Sequence, residues 1–549
     1  MFKLSKLLYL LLLLTAFIVP VANATDNYIP IRVGISDTKF QTYLFDVVSF
    51  NKAATLNVLD SATGHMFELP DNSEILKVTS ENNLFRIYVD GELIARNLTG
   101  PILVNSKIGN YIEITGLKRK GKQAFYRGFI ELTRSSKDIS KFSIVNVLSL
   151  KNYLRGVVPN EMPTRFGLEA LKSQTVAARN YAITPRVKAY QEFDVCDSVA
   201  CQVYFGANTE EELSDKAVEQ TNGIIALDRE NKPILALYSS TAGGYTESYS
   251  YAFSDPKTKE FPSKDIHYLQ ATPDSEYFPD LSSNEAAENF YMSRPESFDD
   301  MSPYYRWSKD WTEDELSKIL QKTLVAQSKT GFVYPQLIRE EDFGKLISII
   351  PVQRGKSGKI IKLEIKTTKN NFIVEKELVI RRVFQKDGIS LPSANFVVYY
   401  INSLTPVYKF AGGGFGHGVG LSQWGAGKMA SMGYCFDDIL QHYYRGIKLS
   451  TIPIKIYPDK KVNDRIFYNN HEEGNVYIKS NGLKGNLKIT VNGKEHNLKI
   501  KNDVEYADIS KYLQKGENKI SYLFELEKNG IMPYIEAFII VKGAINDGK

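Results

Sequence analysis

The pattern of apolar and polar residues changes character several times along the chain. Between Tyr28 and about Leu132, apolar and polar residues alternate over short runs that are rich in β-branched residues and separated by Gly and Asn turns. Such runs predict β-strands. The run FSIVNVLSL at 142–150 is almost continuously apolar and predicts a buried strand.

Helical spacing follows this strand. Residues 150–158 and 167–183 predict helices, and in the second the apolar and small residues form one stripe: Leu168, Leu171, Thr175, Ala178 and Ala182. A helix is also predicted at 312–324, where Thr312 can cap the N-terminus and Glu315 completes a capping box. Another is predicted at 436–446. Further strands are predicted at 234–240, 359–367, 372–380 and 396–402.

After Ser450 the pattern predicts strands alone, which we interpret as a separate all-β module of sandwich type. The fold class expected for the chain is α+β, with a mixed core, a β-rich N-terminal part and the sandwich-like C-terminal module. The predicted segments are a signal peptide at 1–24, the β-rich region at 25–125, the core at 126–450 and the module at 451–549.

The first residues combine a basic start, an apolar run from Leu7 to about Val21 and the sequence Ala22-Asn23-Ala24. This arrangement is typical of a secretory signal with a small-x-small cleavage site. The run is shorter than the ~20 residues that span a membrane, so we expect cleavage, export and no transmembrane segment afterwards. The net charge of +5 is too small to indicate nucleic-acid binding.

Glu161 stands between Pro159 and Pro163, just ahead of a predicted helix. Proline fixes φ and lacks an N–H group, so this carboxyl group is held on a stiff bend. A nearby helix N-terminus would lower its pKa, whereas an apolar pocket around Val157 and Phe166 would raise it. The alternative interpretation is an ordinary surface glutamate.

A predicted strand ends in Ser239 and Ser240, followed by Thr241 and two glycines. A nucleophilic serine would need a Gly-x-Ser-x-Gly elbow or a Ser-x-x-Lys pair, and Gly243 stands where that lysine would be. A hydroxyl-lined turn that hydrogen bonds a ligand, or itself, is the other interpretation.

The stretch GGGFGHGVGLSQWGA at 412–426 is dense in glycine, and ordering each glycine costs backbone entropy. It lacks the Gly-Lys-Ser of a phosphate loop and the spacing of a dinucleotide fingerprint. His417 lies between two glycines with no side-chain neighbours to bury it, and Gln423 and Trp424 follow at the expected start of a helix. The stretch suits either a sugar-polymer groove or a structural tight turn.

Cys196 and Cys201 are five positions apart, and the chain has three cysteines in all. A local disulfide, two free thiols and a metal site are all open for this pair, although two cysteines alone do not make a zinc site.

Six motifs together resemble the stage II sporulation protein D and amidase-enhancer family of cell-wall proteins. They occur in the family's order between Tyr126 and Gly446: YRGFIEL, NYLRGVVPNEMP, LEALKSQTVAARNYAI, CDSVACQVYFG, YSSTAGGYTES and the long glycine-rich run that begins at Gly412. The C-terminal stretch YADISKYLQKGENKISYLF resembles accessory β-sandwiches of carbohydrate-active enzymes.

The resemblance implies a lytic transglycosylase that cleaves N-acetylmuramic acid–N-acetylglucosamine links of peptidoglycan strands stripped of their stem peptides. The core at 126–450 would then be catalytic, and Glu161 matches the family's essential glutamate. A single carboxyl group can act as general acid and then base, because the sugar's own 6-hydroxyl replaces water and leaves a 1,6-anhydro end. Substrate contacts are expected from Ser239, Ser240, His417 and Gln423.

The alternative function is a non-catalytic wall-binding protein that enhances an N-acetylmuramoyl-L-alanine amidase, which would then be a partner. The expected location is the periplasm, the cell envelope or outside the cell. No cofactor is expected. The family often has a histidine before the second cysteine and a metal site there, but Ala200 occupies that position, which makes zinc doubtful and favours a disulfide between Cys196 and Cys201. Phe415 and Arg445 also depart from the family's usual Trp and Pro.

Overall fold

The structure, a computed structural model, describes residues 29–107, 109, 111–184, 190–275 and 279–542. The predicted signal peptide lies outside these residues. The described chain forms two compact units: the first contains the residues up to Leu227 and those from Lys448 onwards, and the second contains residues 228–447. This division differs from the four segments expected from the sequence. Helix and strand occur in both units, so the α+β class is confirmed.

The N-terminal part of the first unit is mostly strand. Its strands are β1 Pro30–Ile35, β2 Val47–Asn51, β3 Leu56–Asp60, β4 His65–Phe67, β5 Ile75–Glu81, β6 Leu84–Val89, β7 Glu92–Leu98, β8 Ile102–Ser106, β9 Ile112–Arg119, β10 Lys122–Tyr126, β11 Phe129–Arg134, β12 Phe142–Ser149, β13 Val195–Cys196 and β14 Ile224–Leu227. One sheet has the order β13-β1-β12-β11-β8-β3-β4, and a second has the order β10-β9-β2-β5-β6-β7.

Three helices follow β12: α1 Leu150–Glu161, α2 Leu168–Ile183 and α3 Glu212–Gln220. The predicted buried strand is β12, which pairs with β1 on one side and β11 on the other, so both of its faces and both of its edges are covered. Ser149 ends this strand and caps α1, because its hydroxyl accepts a hydrogen bond from the Asn152 N–H at 3.3 Å.

The second unit begins after β14. Its elements are strands β15 Tyr238–Ser239, β16 Trp307–Thr312, β17 Val333–Tyr334, β18 Leu346–Arg354, β19 Ile360–Thr367, β20 Asn371–Glu375, β21 Gln385–Lys386, β22 Ile389–Ser390, β23 Phe396–Ile401, β24 Val407–Gly412 and β25 Leu421–Ser422, with helices α4 Tyr249–Ala252, α5 Asn284–Met292, α6 Glu313–Ser328, α7 Glu377–Val383, α8 Gln423–Ser431 and α9 Phe436–Tyr443. Its core includes Phe396 stacked on Phe410, with ring centroids 5.1 Å apart.

The predicted Thr312 cap is confirmed, because its hydroxyl accepts a hydrogen bond from the Glu315 N–H at 3.2 Å at the start of α6. The strand predicted at 372–380 is wrong in its second half, where α7 begins at Glu377. The strand predicted at 234–240 is reduced to the two residues of β15.

The C-terminal residues return to the first unit and are all strand apart from one short 3-10 turn. The strands are β26 Lys448–Thr451, β27 Ile454–Ile456, β28 Val462–Asn469, β29 Asn475–Lys479, β30 Lys484–Val491, β31 Lys494–Ile500, β32 Val504–Asp508, β33 Gly516–Lys528 and β34 Ile535–Lys542. One sheet has the order β28-β33-β30-β31. The other joins β14, β26, β34, β29 and β32, so it pairs a strand that precedes the second unit with strands that follow it.

Short 3-10 turns complete the described elements, at Ala53–Thr55, Thr164–Phe166, Ala207–Thr209, Glu340–Asp342 and Ser510–Tyr512. Within the described ranges, no helix is both long enough and apolar enough to cross a membrane.

A buried ion pair joins the two N-terminal sheets to the segment after β13. Arg119 Nη2 lies 2.6 Å from Asp197 Oδ2, and neither side chain is exposed. The hydroxyl of Ser36 donates to the other carboxylate oxygen at 2.8 Å, and the Ser36 carbonyl accepts from Arg119 at 2.8 Å. These partners hold the Asp197 carboxylate to β9 and to the end of β1.

We expect Arg119→Met to lower the free energy of unfolding by about 3–5 kcal/mol, because it leaves the buried Asp197 carboxylate without its counter-charge. Denaturant titration measures this loss. Arg86→Met is the matched control, since its partner Glu81 is exposed and exposed pairs contribute about 0–1 kcal/mol. Equal losses in the two variants would contradict the importance of the buried pair.

Candidate functional site

Glu161 is the last residue of α1, and Met162 closes that helix with a hydrogen bond from its N–H to the Val158 carbonyl at 2.9 Å. Pro159 lies inside the last turn, and Pro163 leads into the following 3-10 turn. The stiff setting expected from the two prolines is therefore present. The carboxyl group lies at the C-terminal end of a helix, whose partial negative charge disfavours the carboxylate form.

The Glu161 carboxyl group is partly buried and is tied to the backbone. Its Oε1 accepts a hydrogen bond from the Val203 N–H at 2.5 Å. Burial raises the pKa of Glu161 to about 7, although the Val203 hydrogen bond acts in the opposite direction. Because Oε1 is an acceptor in this bond, Oε2 is the oxygen that is able to carry a proton.

A pocket of about 420 Å³ opens beside this carboxyl group. Its lining mixes both signs of charge with apolar groups: Lys120, Pro159, Asn160, Glu161, Met162, Pro163, Thr164, Arg165 and Glu211. Lys120 and Arg165 bring positive charge to the pocket, and Glu211 accepts a hydrogen bond from the Thr164 hydroxyl at 2.7 Å. A polar ligand matches this lining, and Lys120 and Arg165 are the groups that would meet a negative charge on it.

The Val203 amide belongs to the segment that contains the cysteine pair. Cys196 and Cys201 are joined by a disulfide, with their Cα atoms 5.5 Å apart. The two sulfur atoms are thus bonded to each other and do not offer two thiolates to a metal ion.

The second unit brings the other predicted site residues together. Ser239 in β15 pairs in parallel with Ser422 in β25, and Gln423 begins α8 directly afterwards. Thr241 and Phe415 exchange two backbone hydrogen bonds of 3.2 and 2.9 Å. The serine turn and the glycine-rich stretch therefore run side by side.

The His417 ring is more enclosed than its glycine neighbours suggest. Its Nδ1 accepts a hydrogen bond from the Val419 N–H at 3.0 Å, and its ring packs edge-on against Phe253 at 5.2 Å. Burial lowers the pKa of His417 to about 4, so the ring is neutral at pH 7. The expectation that no side chain would bury this histidine is wrong.

The serine hydroxyls have local surroundings. Ser239 is buried, and the Ser240 hydroxyl lies 3.3 Å from that of Thr241, which in turn lies 2.7 Å from the Ser302 hydroxyl. Gln423 is also buried. These contacts describe a hydroxyl-lined turn.

Close backbone approach accounts for much of the glycine content. A Cβ atom on Gly243 would lie 2.7 Å from the Gly413 carbonyl carbon, and one on Gly420 would lie 2.1 Å from the Leu237 oxygen. Asp299 fixes the same turn by accepting a hydrogen bond from the Gly243 N–H at 2.7 Å. Burial, with the neighbouring Asp274 charge, raises the pKa of Asp299 to about 7. No pattern in the sequence marks this buried aspartate.

A metal ion would need several ligand atoms close together. Across the described residues, one such group has its ligand atoms within 4.8 Å: Cys435, Asp437 and Asp438, at the start of α9. Three ligands with an exposed carboxylate fall short of the closed four-ligand set of a structural zinc site.

Comparison with known families matches two parts of the chain. Residues 138–227 match the family model described as stage II sporulation protein, SpoIID, and this range contains Glu161, the disulfide and Val203. The chain contains a SpoIID-family domain. Residues 256–420 match a domain of unknown function, DUF8618, and this range lies within the second unit.

Curated relatives are similar to this chain over about half of its length. It is 31% identical over 301 residues to the amidase enhancer of Bacillus subtilis, covering 54% of this chain but 40% of that protein. It is 29% identical over 322 residues to the stage II sporulation protein D of the same organism, covering 56% of this chain and 76% of that protein. An uncharacterised protein of Brachyspira hyodysenteriae is 27% identical over 308 residues, covering 56% and 68%.

We expect Gly243→Ala to be more destabilising than Gly433→Ala. Both glycines have positive φ, at 83° and 92°, which costs an alanine about 1–2 kcal/mol. Only Gly243 would also press its Cβ against backbone, and such overpacking adds roughly 1–3 kcal/mol; the Cβ of the control variant meets nothing within 4 Å. Thermal denaturation of the two variants measures the difference. Equal midpoints would show that the close approach is easily relaxed.

Proposed function

We propose that this protein is a peptidoglycan lytic transglycosylase that cleaves N-acetylmuramic acid–N-acetylglucosamine links with Glu161 as its single acid and base. The observation that carries the proposal is the partly buried Glu161 carboxyl group, whose pKa is raised to about 7, beside an open polar pocket. Its presence within a SpoIID-family domain supports the same reaction.

The first step needs a proton on a carboxyl group at neutral pH. Oε2 of Glu161 donates this proton to the glycosidic oxygen as the bond from that oxygen to C1 of the N-acetylmuramic acid breaks. The Val203 N–H remains on Oε1 and stabilises the carboxylate that forms. Because one oxygen is tied, the proton is presented in one direction.

The second step returns the proton. The 6-hydroxyl of the same sugar attacks C1 while its proton passes to the Glu161 carboxylate, so a 1,6-anhydro ring forms and the acid is regenerated. No water is consumed. One carboxyl group therefore suffices where hydrolases use two.

Strands without stem peptides are the substrate that the pocket lining favours. In such strands each N-acetylmuramic acid has a free lactyl carboxylate, whereas a stem peptide converts it to an amide. Lys120 and Arg165 line the pocket and supply the matching positive charge.

Glycan contacts by Ser239, Ser240, His417 and Gln423 are a separate proposal about the second unit. Export through the predicted signal peptide at 1–24 to the periplasm, the cell envelope or the exterior is also proposed, since the substrate is found there.

A second candidate function is enhancement of a cell-wall amidase without catalysis. The similarity to the Bacillus subtilis amidase enhancer, at 31% identity, favours it. In that case an amidase would be the partner, and the glycan strand would be bound but not cut.

We expect Glu161→Gln to lower the release of 1,6-anhydro products from stripped glycan strands by at least about 10²-fold, the usual contribution of a general acid. Mass spectrometry of the products measures this release. Glu212→Gln, at an exposed position in α3, is the control and should retain the activity. Unchanged product release by the Glu161→Gln variant, or none by the unaltered protein, would favour the amidase enhancer.

The rate of 1,6-anhydro product release should decrease as the pH rises above neutrality. Glu161 must be protonated to start the reaction, so the rate should be highest below its pKa of about 7 and fall about tenfold for each pH unit above it. Initial rates between pH 5 and 9 measure this alkaline limb. A limb near pH 4.5 would contradict a buried acid.

We expect Lys120→Gln with Arg165→Gln to raise KM for stripped strands about tenfold while leaving kcat within about twofold, because two charge-assisted contacts to the carboxylate are lost. The matched test uses strands whose lactyl carboxylates have been converted to amides. For these amidated strands, the KM of the unaltered protein should be as high as the KM of the double variant for stripped strands. Equal KM values of the unaltered protein for stripped and for amidated strands would contradict carboxylate recognition.

A further inference from the structure

The segment that donates the Val203 amide to Glu161 is anchored on its N-terminal side. Cys196 lies in β13, beside Gly34 of β1 in a parallel pair. The next residue, Asp197, is held in the buried ion pair with Arg119. Residues 195–197 are therefore fixed to the first sheet.

The segment is anchored again on its C-terminal side, this time on α1. The Tyr153 hydroxyl donates to Gln202 Oε1 at 2.9 Å, and the Phe205 N–H donates to the Gly156 carbonyl at 3.4 Å. The Tyr204 hydroxyl donates to Asn146 Oδ1 at 2.7 Å. Val203 lies within these contacts, and α1 ends at Glu161.

Between the two anchors the chain makes an outward turn, in which the Ser198 hydroxyl accepts a hydrogen bond from the Tyr43 hydroxyl at 3.1 Å. Val199 is 90% exposed and Ala200 is exposed as well. The Cys201 N–H donates to the Ser198 carbonyl at 2.9 Å, and the Cys196–Cys201 disulfide closes the base of the turn. The disulfide therefore reinforces the hydrogen bond from the Tyr204 N–H to the Asp197 carbonyl, 3.2 Å long, which joins the same two anchors.

We propose that the Cys196–Cys201 disulfide is a positioning element that holds the Val203 amide against the Glu161 carboxyl group. This inference rests on the proposed function only for its effect on catalysis. The geometry makes the disulfide the shortest covalent connection between the sheet that carries Asp197 and the backbone that meets the acid.

Opening the disulfide should loosen this connection. Reduction by an added dithiol breaks the bond between the two Sγ atoms, transfers two electrons and two protons, and leaves two thiols. Cys201 is partly exposed, so a small reductant is able to reach it. The turn would then regain backbone freedom that the link removes, and Val203 would be held against Glu161 only by the noncovalent contacts of its neighbours.

The electrostatic consequence follows from the surroundings of Glu161. Charged groups near it are Lys120, Arg165 and Glu211 in the pocket and the Arg119–Asp197 pair behind the turn. The raised pKa of Glu161 comes from burial, and the Val203 amide acts against it. Loss of the Val203 hydrogen bond therefore raises the pKa of Glu161 further, and the carboxylate that forms when the acid gives up its proton loses its stabilising donor.

The experiment compares the oxidised protein, the dithiol-reduced protein and a variant with Cys196→Ser and Cys201→Ser. In the two opened forms we expect hydrogen exchange of the Val203 amide to be at least about tenfold faster. We also expect kcat on stripped glycan strands to fall about tenfold or more with KM within about twofold, and the alkaline limb to move to higher pH. Reoxidation of the reduced protein should restore all three.

Cys435→Ser is the control, because the remaining described cysteine is not in a disulfide. It should leave exchange, kcat and the pH profile unchanged under oxidising conditions. Circular dichroism well below the unfolding temperature separates loss of position from loss of fold. If the variant with both cysteines replaced is unfolded, the reduced and reoxidised forms of the unaltered chain decide the question.

Unchanged Val203 exchange on reduction would overturn the positioning role, whatever the activity. Faster exchange with an unchanged kcat and pH profile would overturn its importance for Glu161. A protein that makes no 1,6-anhydro product in any redox state would instead refute the proposed function, and the exchange measurement would still decide whether the disulfide holds the amide.

Discussion

The hydrogen bond from the Val203 N–H to Oε1 of Glu161 is the contact on which the candidate chemistry depends. Burial alone would hold the proton of Glu161 more firmly and leave its carboxyl group without this contact. The amide restrains rotation of the carboxyl group, and it partly offsets the raised pKa, so the acid remains able to lose its proton. A group with both roles in one catalytic cycle needs this balance, since an acid that holds its proton too firmly is a poor donor.

This balance requires two distant parts of the sequence to meet. Glu161 ends α1, whereas Val203 follows the turn after β13, and the residues between them form α2 and the disulfide. The buried Arg119–Asp197 pair adds a third part of the chain. Such a pair contributes little net stability compared with apolar packing, but it strongly disfavours other arrangements of the segment, because any of them would leave a charge buried alone.

Local patterns predicted the elements well where periodicity and capping agree. The stripe of α2, the Thr312 cap of α6 and the buried strand β12 are all recognisable in the sequence. The error at 372–380 has a physical cause: FIVEKELVI is apolar enough for a strand throughout, and tertiary packing of Val379 and Ile380 in the core selects a helix for its second half. Tertiary context decided that segment.

The candidate site could be predicted from the sequence only where its side chains form a recognisable pattern. Glu161 is recognisable from its prolines, but Val203 contributes a backbone amide, which any residue other than proline has, so no pattern marks it. The glycine-rich stretch is recognisable as unusual in the sequence. Its glycines are required because other backbone segments come close, as at Gly243 and Gly420, and a sequence pattern does not show which segments meet in the fold. The enclosure of the His417 ring likewise depends on contact with Phe253, which is distant in the sequence.

The pairing of β14 with β26 has a consequence for how this chain is assembled. Leu227 lies opposite Lys448, so the chain leaves the first unit and re-enters it through neighbouring residues of one antiparallel ladder. Everything from 228 to 447 occupies the position that a tight hairpin loop fills in simpler sheets. Such a junction tolerates replacement of the inserted unit, because the sheet requires only that the two ends of the insertion lie one strand spacing apart. The inserted unit can therefore be lengthened, shortened or replaced while the β14–β26 pairing of the sheet stays the same.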